Sequence, residues 1–361
     1  MRYARNFVIS TFFLFFLSLT TSIITAQKYD KQVESLAREI ESQVIDWRHW
    51  FHENAELSNR EFKTSKRIAE ILSDMGYKPQ INVAKTGVVA ILNGKKRGSV
   101  VALRADIDGL PIKERVNLPW ASKMTGVYNG ETVPVMHACG HDTHIGILLG
   151  VAKILLDMKD EIPGKVKFIF QPAEEGGAGG KMMKEQGVLE DPKVEQIYAL
   201  HVAGTIPTGT LASREGTILA ATSTVKILVK GNGGHAAAPH QTIDPVVTGS
   251  KIIVELQTII SRELNPLESG VISITMTKAG NACNVIPSTM ELQGTIRSLT
   301  LEGILKLQTR VKEVAEAIAI ANRCEADVTF PGNDYPPTVN DTQCWNLGKL
   351  AAGEILGSEH V

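Results

Sequence analysis

The run Met136-His137-Ala138-Cys139-Gly140-His141-Asp142-Thr143-His144 packs three imidazoles, a thiol and a carboxylate into one short stretch. A Cys-x-His step lets a single turn offer two ligands to one ion, and thiolate with imidazole suits zinc or another first-row divalent metal. The same residues have a plainer reading, with His137 and His144 as helix-end hydrogen-bond partners and Cys139 simply buried; for His144 the plainer reading is preferred. Asp142 fits two roles equally, orienting a ligand histidine or sitting as a carboxylate favoured by a helix N-terminus.

Three further segments offer groups of the same kind. The apolar run Ser99–Ala105 leads into Asp106-Ile107-Asp108-Gly109, and the period of a strand puts Asp106 and Asp108 on one face. On its own that segment reads as a solvated turn with an Asx-type hydrogen bond. The run Lys165–Phe170 ends in Gln171-Pro172-Ala173-Glu174-Glu175-Gly176-Gly177. Adjacent carboxylates held in an enclosed site need a cation: one can bind it while the other takes a proton from water and returns it to a leaving group. A solvated acidic turn is the ordinary alternative. The glycine-rich stretch Gly176–Lys181 is not a phosphate loop, because Met182 follows Lys181 and Glu175 stands where the first glycine is required. Finally, Glu195–Leu200 delivers His201, which would be structural if it stood alone.

These groups follow strand-like runs, and the elements that position them can be read from periodicity. Helical spacing recurs from Tyr29 to Met75, as in Val33, Leu36, Ile40 and Val44, giving two helices before the turn at Gly76. Strand candidates Gly87–Leu92, Ser99–Ala105, Lys165–Phe170 and Glu195–Leu200 alternate with a helix over Thr143–Met158. That alternation predicts an α/β layer structure with functional groups at the carboxyl ends of strands. From about Thr217 a second set begins: strand Ser223–Val229, helix Asp244–Leu264, strands Val271–Thr277 and Met290–Ser298, helix Leu301–Ala321, strand Cys324–Thr329. This β-α-β-β-α-β order is the ferredoxin-like pattern. A last helix is expected over Cys344–Leu356.

Composition narrows the class. With 361 residues, 43% hydrophobic and 21% charged, the chain can bury more than one core. A net charge of -1 lacks the positive field that non-specific nucleic-acid binding needs, so no nucleic-acid partner is expected. Gly 31 and Pro 15 without a fixed repeat exclude collagen-like and solenoid forms. Arg2 and Arg5 precede the apolar run Phe7–Leu19, with small residues as far as Ala26, so residues 1–26 read as a secretory signal peptide. Cleavage would leave no stable membrane span, and a secreted or periplasmic protein is expected. Its four cysteines are too few for a disulfide scaffold.

Taken together, Ala102–Pro111, Met136–His144, Gln171–Gly176, Ala199–Val202, Gly234-His235-Ala236-Ala237-Ala238-Pro239-His240 and Asn284-Val285-Ile286-Pro287 resemble the amidohydrolase branch of the glutamate carboxypeptidase-like metallopeptidases. That branch includes hippurate hydrolases, plant auxin-conjugate hydrolases and bacterial N-acyl-amino-acid or peptide hydrolases. The resemblance implies a mixed-sheet α/β catalytic domain, residues 27–215 with 331–361, and an inserted ferredoxin-like lid, residues 216–330, used for homodimerisation. It implies that Cys139, His141, Glu175 and His201 bind two divalent ions, zinc or manganese with cobalt as a further option. It makes Glu174 the general acid/base and places Asp108 in support. His235, which as an isolated residue reads as an ordinary turn histidine, would reach a partner subunit's site to stabilise the oxyanion. Asn284 and Arg297 would recognise a substrate carboxylate, a task suited to a guanidinium fork, whereas Arg297 on a strand also fits a surface ion pair.

The family closes its catalytic domain with a later strand-rich segment bearing one more histidine ligand. His360 lacks the matching context, so the sequence is expected to be incomplete at its C-terminus or to leave the second metal position short of a ligand. The resulting expectation is a hydrolase of the amide bond in N-acyl amino acids or small peptides. Two rivals are a non-catalytic relative that keeps dimerisation and partial metal binding, and a strict metallocarboxypeptidase.

Overall fold

The computed structural model describes residues 29–332 and 334–361, so the expected signal peptide over residues 1–26 lies outside them. The chain divides into two compact units, one up to Thr208 and one from Gly209 to Val361.

The first unit opens with helix α1 (residues 29–53) and α2 (Phe62–Asp74). There follow β1 (Gln80–Val83), β2 (Gly87–Asn93), β3 (Lys96–Asp106), the short hairpin β4 (Thr125–Tyr128) and β5 (Glu131–Pro134), α3 (His141–Asp157), β6 (Pro163–Gln171), α4 (Gly179–Glu185) and β7 (Gln196–Ala199). Five strands form one mixed sheet in the order β1-β2-β6-β3-β7. β2 runs antiparallel to β6, whereas β3 is parallel to both β6 and β7. Parallel pairing aligns the strand ends, with Asp106 beside Gln171 and Arg104 beside Ala199. The segments that carry Asp106, Glu174 and His201 therefore leave the sheet at one edge.

Period-two alternation sorts β6 between two layers. Phe168 and Phe170 pack with Phe51, Ile68, Leu72, Ile145 and Leu149 of the helices, and Ile169 packs with Val83, Val89, Ala102 and Met183 on the other face. Because both faces are covered, β6 is buried without a break from Val166 to Phe170. α3 is apolar on most sides and correspondingly buried, with Ile145, Leu148, Leu149 and Ala152 all inside.

The second unit contains β8 (Gly216–Leu219), β9 (Ala221–Lys230), β10 (Gly234–His235), α5 (Pro245–Thr258), β11 (Gly270–Ala279), β12 (Val285–Ile286), β13 (Thr289–Ser298), α6 (Leu301–Ala321), β14 (Glu325–Thr329), β15 (Thr338–Asn340) and α7 (Thr342–Leu356). Its main sheet is antiparallel in the order β11-β13-β9-β14, the arrangement expected of a ferredoxin-like β-α-β-β-α-β chain. Val225, Ile227 and Val229 of β9 meet Ile252 and Leu256 of α5 and Leu307, Val311 and Ala315 of α6 in a separate core. Asp244 caps α5 by accepting from the Val246 N–H at 2.8 Å, with Pro245 as its first residue. The helix ends earlier than its apolar pattern suggests, giving way to a π turn over Ile259–Glu263.

Residues 331–361 fall within this second unit, where β15 pairs with β8 and Tyr335 bridges Thr222. α7 buries none of its residues, and Leu347, Leu350 and Ile355 are exposed.

Candidate metal centre

Each candidate ligand in the first unit sits where a strand ends or a helix begins. β3 delivers Asp106 and, two residues on, Asp108; β6 leads to Glu174 and Glu175; β7 leads to His201; and His141 is the first residue of α3. Gly140 makes the entry to α3 possible, since its φ is 87° and a Cβ there would lie 2.4 Å from Cγ2 of Val202. That close approach sets the His201 segment against the start of α3.

The hydrogen bonds select the histidine tautomers. His141 Nδ1 lies 2.8 Å from the backbone oxygen of Asp108, and His201 Nδ1 lies 2.7 Å from that of Val202. A carbonyl only accepts, so each Nδ1 carries the proton and each Nε2 presents a lone pair. His201 Nε2 is 3.5 Å from Cys139 Sγ, and His141 Nε2 is 3.9 Å from Glu175 Oε1. Ligand atoms of Cys139, His141 and Glu175 all lie within 4.8 Å of one another, as do those of Asp106, His141, His144 and His201.

Buried His141 Nε2 and Glu175 Oε1 have no hydrogen-bond partner. Two inward-facing acceptors with no donor between them are costly unless a cation completes them. A thiolate, two imidazole lone pairs and a carboxylate are also the donor set for a first-row divalent ion, so these residues fit such a metal. Local electrostatics agree. Burial and the Glu175 charge push the Cys139 thiol up to about 12, and burial followed by the charges of Glu175 and Asp106 raises the Glu174 carboxyl. The site concentrates negative charge that a cation would balance.

Asp106 and Asp108 are buried, which rules out the solvated-turn reading. Burial alone would raise both carboxyls; hydrogen bonds from histidine lower them instead, helped at Asp106 by the Arg104 charge and at Asp108 by the Ser58 hydroxyl and the Glu175 N–H. His144 donates through Nδ1 to Asp106 at 2.5 Å and accepts the Val202 N–H on Nε2 at 2.9 Å. With both nitrogens engaged, it acts as a buttress between β3 and the His201 segment. Asp108 accepts the Ser58 hydroxyl at 2.6 Å and the Glu175 N–H at 2.9 Å on the same oxygen.

Asp142 turns away from the ligand histidines toward α1, meeting Arg48 Nε at 3.2 Å and His52 Nδ1 at 3.1 Å. His52 Nε2 in turn meets Glu114 at 2.8 Å. His137 is buried with neither ring nitrogen partnered, and burial pushes it down to about 4. It therefore does not make the helix-end hydrogen bond considered from the sequence.

Sequence reasoning missed Arg48, His52, Ser58 and Glu61. They lie on α1 or in the polar stretch Glu56-Leu57-Ser58-Asn59-Arg60-Glu61, where nothing in residue type or spacing separates a brace from ordinary surface.

In the second unit, β10 and β12 pair His235 with Val285, which sets Asn284 beside them; the Asn284 carbonyl accepts the Ala236 N–H at 3.0 Å. His235 Nδ1 accepts the Ala237 N–H at 3.1 Å, leaving an exposed Nε2–H as a donor. Arg297 stands apart on β13, exposed and without an ion pair among the described residues.

Comparison with known proteins adds an independent line. Peptidase family M20/M25/M40 matches over residues 102–361. IAA-amino acid hydrolase ILR1-like 2 of Arabidopsis thaliana is 41% identical over 355 residues, covering 96% of this chain and 78% of that one. N-acetyl-L-cysteine deacetylase of Bacillus subtilis is 39% identical over 313 residues, covering 87% and 73%. The crystal structure of Bacillus subtilis YXEP protein, a dinuclear metal binding peptidase from the M20 family, superposes with a TM-score of 0.73 at 34% identity, covering 88% and 81%.

Proposed function

Because this chain belongs to peptidase family M20/M25/M40, we propose that its metal centre hydrolyses the amide bond of N-acyl amino acids. The enzyme is a metal-dependent amidohydrolase, and relatives named as an IAA-amino acid hydrolase and an N-acetyl-L-cysteine deacetylase support that substrate class. The observation that carries the reading is the pair of unpartnered buried acceptors, His141 Nε2 and Glu175 Oε1, facing one another beside Cys139 and next in sequence to Glu174.

Cys139, His141, Glu175 and His201 would hold two divalent ions, with zinc or manganese preferred and cobalt tolerated. When bound, the ions supply Lewis-acid polarisation of the scissile carbonyl and lower the pKa of the attacking water. Glu174 takes one proton from that water as the new C–O bond forms. It delivers the proton to nitrogen as the C–N bond breaks, releasing a carboxylic acid and an amino acid. Asp108 holds His141 and the Glu175 backbone in place.

His235, with its outward Nε2–H, would reach a partner subunit's site to steady the oxyanion, and Asn284 and Arg297 would bind the product amino acid's carboxylate. We assign residues 27–215 and 331–361 to the catalytic domain and 216–330 to a lid through which the protein dimerises. The ferredoxin-like sheet with β11 at its edge supports the lid assignment. The protein would be secreted or periplasmic. No helix among the described residues is long and apolar enough to cross a membrane.

Purified protein loaded separately with zinc, manganese or cobalt should cleave N-acyl amino acids in preference to unblocked dipeptides, and chelation should stop it. Failure to hydrolyse with metal bound, or preference for free-amino dipeptides, rejects the proposal. Sedimentation equilibrium tests the dimer, which a monomer at assay concentration would refute.

A further inference from the structure

The stretch between α1 and α2 supplies two contacts to the loop after β6, one partly and one fully buried. Ser58 reaches it through Asp108, which takes the Glu175 N–H at 2.9 Å. Glu61 reaches it directly: its Oε1 accepts the Ala173 N–H at 2.8 Å, and its Oε2 accepts the Thr86 hydroxyl at 2.6 Å. Glu61 is 0% exposed. It occupies the position before α2 where a carboxylate would ordinarily take the first helical N–H groups, yet its side chain caps nothing there. Glu56 serves that end instead, accepting from the Thr64 N–H at 2.9 Å.

The loop has reason to need holding. Ala173 is left-handed at φ 51°, a conformation that costs an alanine energy and relaxes unless its surroundings fix it. The next two residues are Glu174 and Glu175.

We propose that Glu61 is a positioning residue for the hydrolysis, its buried carboxylate fixing the Ala173 N–H while Asp108 fixes the Glu175 N–H, so that the backbone is clamped on both sides of Glu174. The proposal rests on the reading of Glu174 as the base and Glu175 as a metal ligand. A buried acceptor is what matters at Glu61, so glutamine, which keeps an acceptor oxygen, should serve where leucine, with similar bulk and no acceptor, should not.

The test compares wild type, Glu61→Leu, Glu61→Gln and Thr86→Val by calorimetric titration with zinc alone and by kcat and KM on an N-acetyl amino acid. Glu61→Leu should weaken zinc binding by about 10- to 100-fold. It should also lower kcat by about 10- to 100-fold with KM little changed, because geometry at the base is lost rather than substrate binding. Glu61→Gln should recover most of both. A folded Glu61→Leu with wild-type zinc affinity and kcat overturns the proposal, as does a Glu61→Gln no better than leucine. A lowered melting temperature with an unchanged site also overturns it. Should Glu61→Leu fail to fold, Thr86→Val decides: by freeing Glu61 at one oxygen it should lower zinc affinity and kcat measurably, and wild-type values for both overturn the idea. If wild type binds zinc but hydrolyses nothing, the parent reading fails while the zinc titrations still decide the role of Glu61.

Discussion

At the scale of single residues, Glu174 and Glu175 are neighbours in sequence with different surroundings. Glu175 presents an unpartnered oxygen to His141, whereas Glu174 is half-buried with a raised proton affinity. Glu174→Gln should therefore keep the metal stoichiometry and lower turnover by about 10²- to 10⁴-fold, the span of general acid–base catalysis. Metal analysis beside a rate assay checks it, and loss of metal together with activity would reverse the two assignments. The histidines and carboxylates of this centre were legible because they crowd into Met136–His144 or directly follow strand-like runs, as Asp106, Glu174, Glu175 and His201 do. His52 was not, since it lies within α1 with neither signal beside it, and its partners Asp142 and Glu114 lie 90 and 62 residues away. Hydrogen bonds that the imidazolium donates to Asp142 and Glu114 raise His52 against its burial cost. A raised histidine contributes stability that is fully present below its unfolded pKa of about 6.5 and fades as pH climbs through the higher folded value. The melting temperature of wild type should thus exceed that of His52→Gln most near about pH 6 and less at alkaline pH. A gap that stays constant across that range would remove the imidazolium from the account.

At the scale of elements, β6 shows what period and composition reveal and what they hide. The run Lys165–Phe170 alternates charged and apolar residues at first, which would ordinarily put Lys165 and Lys167 in water. Yet Lys167 is 1% exposed, its ammonium donating to the backbone oxygens of Val188 at 2.5 Å, Asp191 at 3.0 Å and Pro192 at 3.0 Å. The covering loop has no periodicity of its own, so nothing local in the sequence announces it. Short elements such as β1, the β4–β5 hairpin, β8 and β15 escaped for a related reason: each has only a few residues and little apolar alternation. Long elements such as α3, β13 and α6 carry enough apolar repeats to be read from pattern alone. Lys167→Met keeps the stem but removes the ammonium and its bonds to three partly buried carbonyls, and should cost about 1–3 kcal/mol of stability. Denaturant unfolding should register that loss while kcat on the same substrate stays near wild type, because the clamp lies mid-strand. An unchanged unfolding midpoint would mean the loop finds other donors.

At the scale of the whole molecule, the two units divide the work by where charge is stored. One core gathers around Phe51, Leu72, Ile145, Phe168 and Phe170, the other around Val225, Ile227, Leu256 and Val311, and each would exclude water without the other's residues. All four candidate ligands, with Asp106, Asp108 and Glu174, belong to the unit ending at Thr208. Cations that bind only the native arrangement stabilise it by mass action, about 2.7 kcal/mol at a free concentration one hundred times Kd. Because the relieved repulsion is confined to the ends of β3, β6 and β7 and the start of α3, the gain should be local. Hydrogen exchange followed by mass spectrometry, on chelated protein and again after zinc is restored, resolves where it falls. Metal should slow exchange in residues 106–109, 137–144, 171–177 and 199–202, while β9, β13 and α6 exchange as before. Equal slowing in those three elements would show that metal binding tightens the molecule as one cooperative body, and the assignment of its stabilising effect to a single unit would fall.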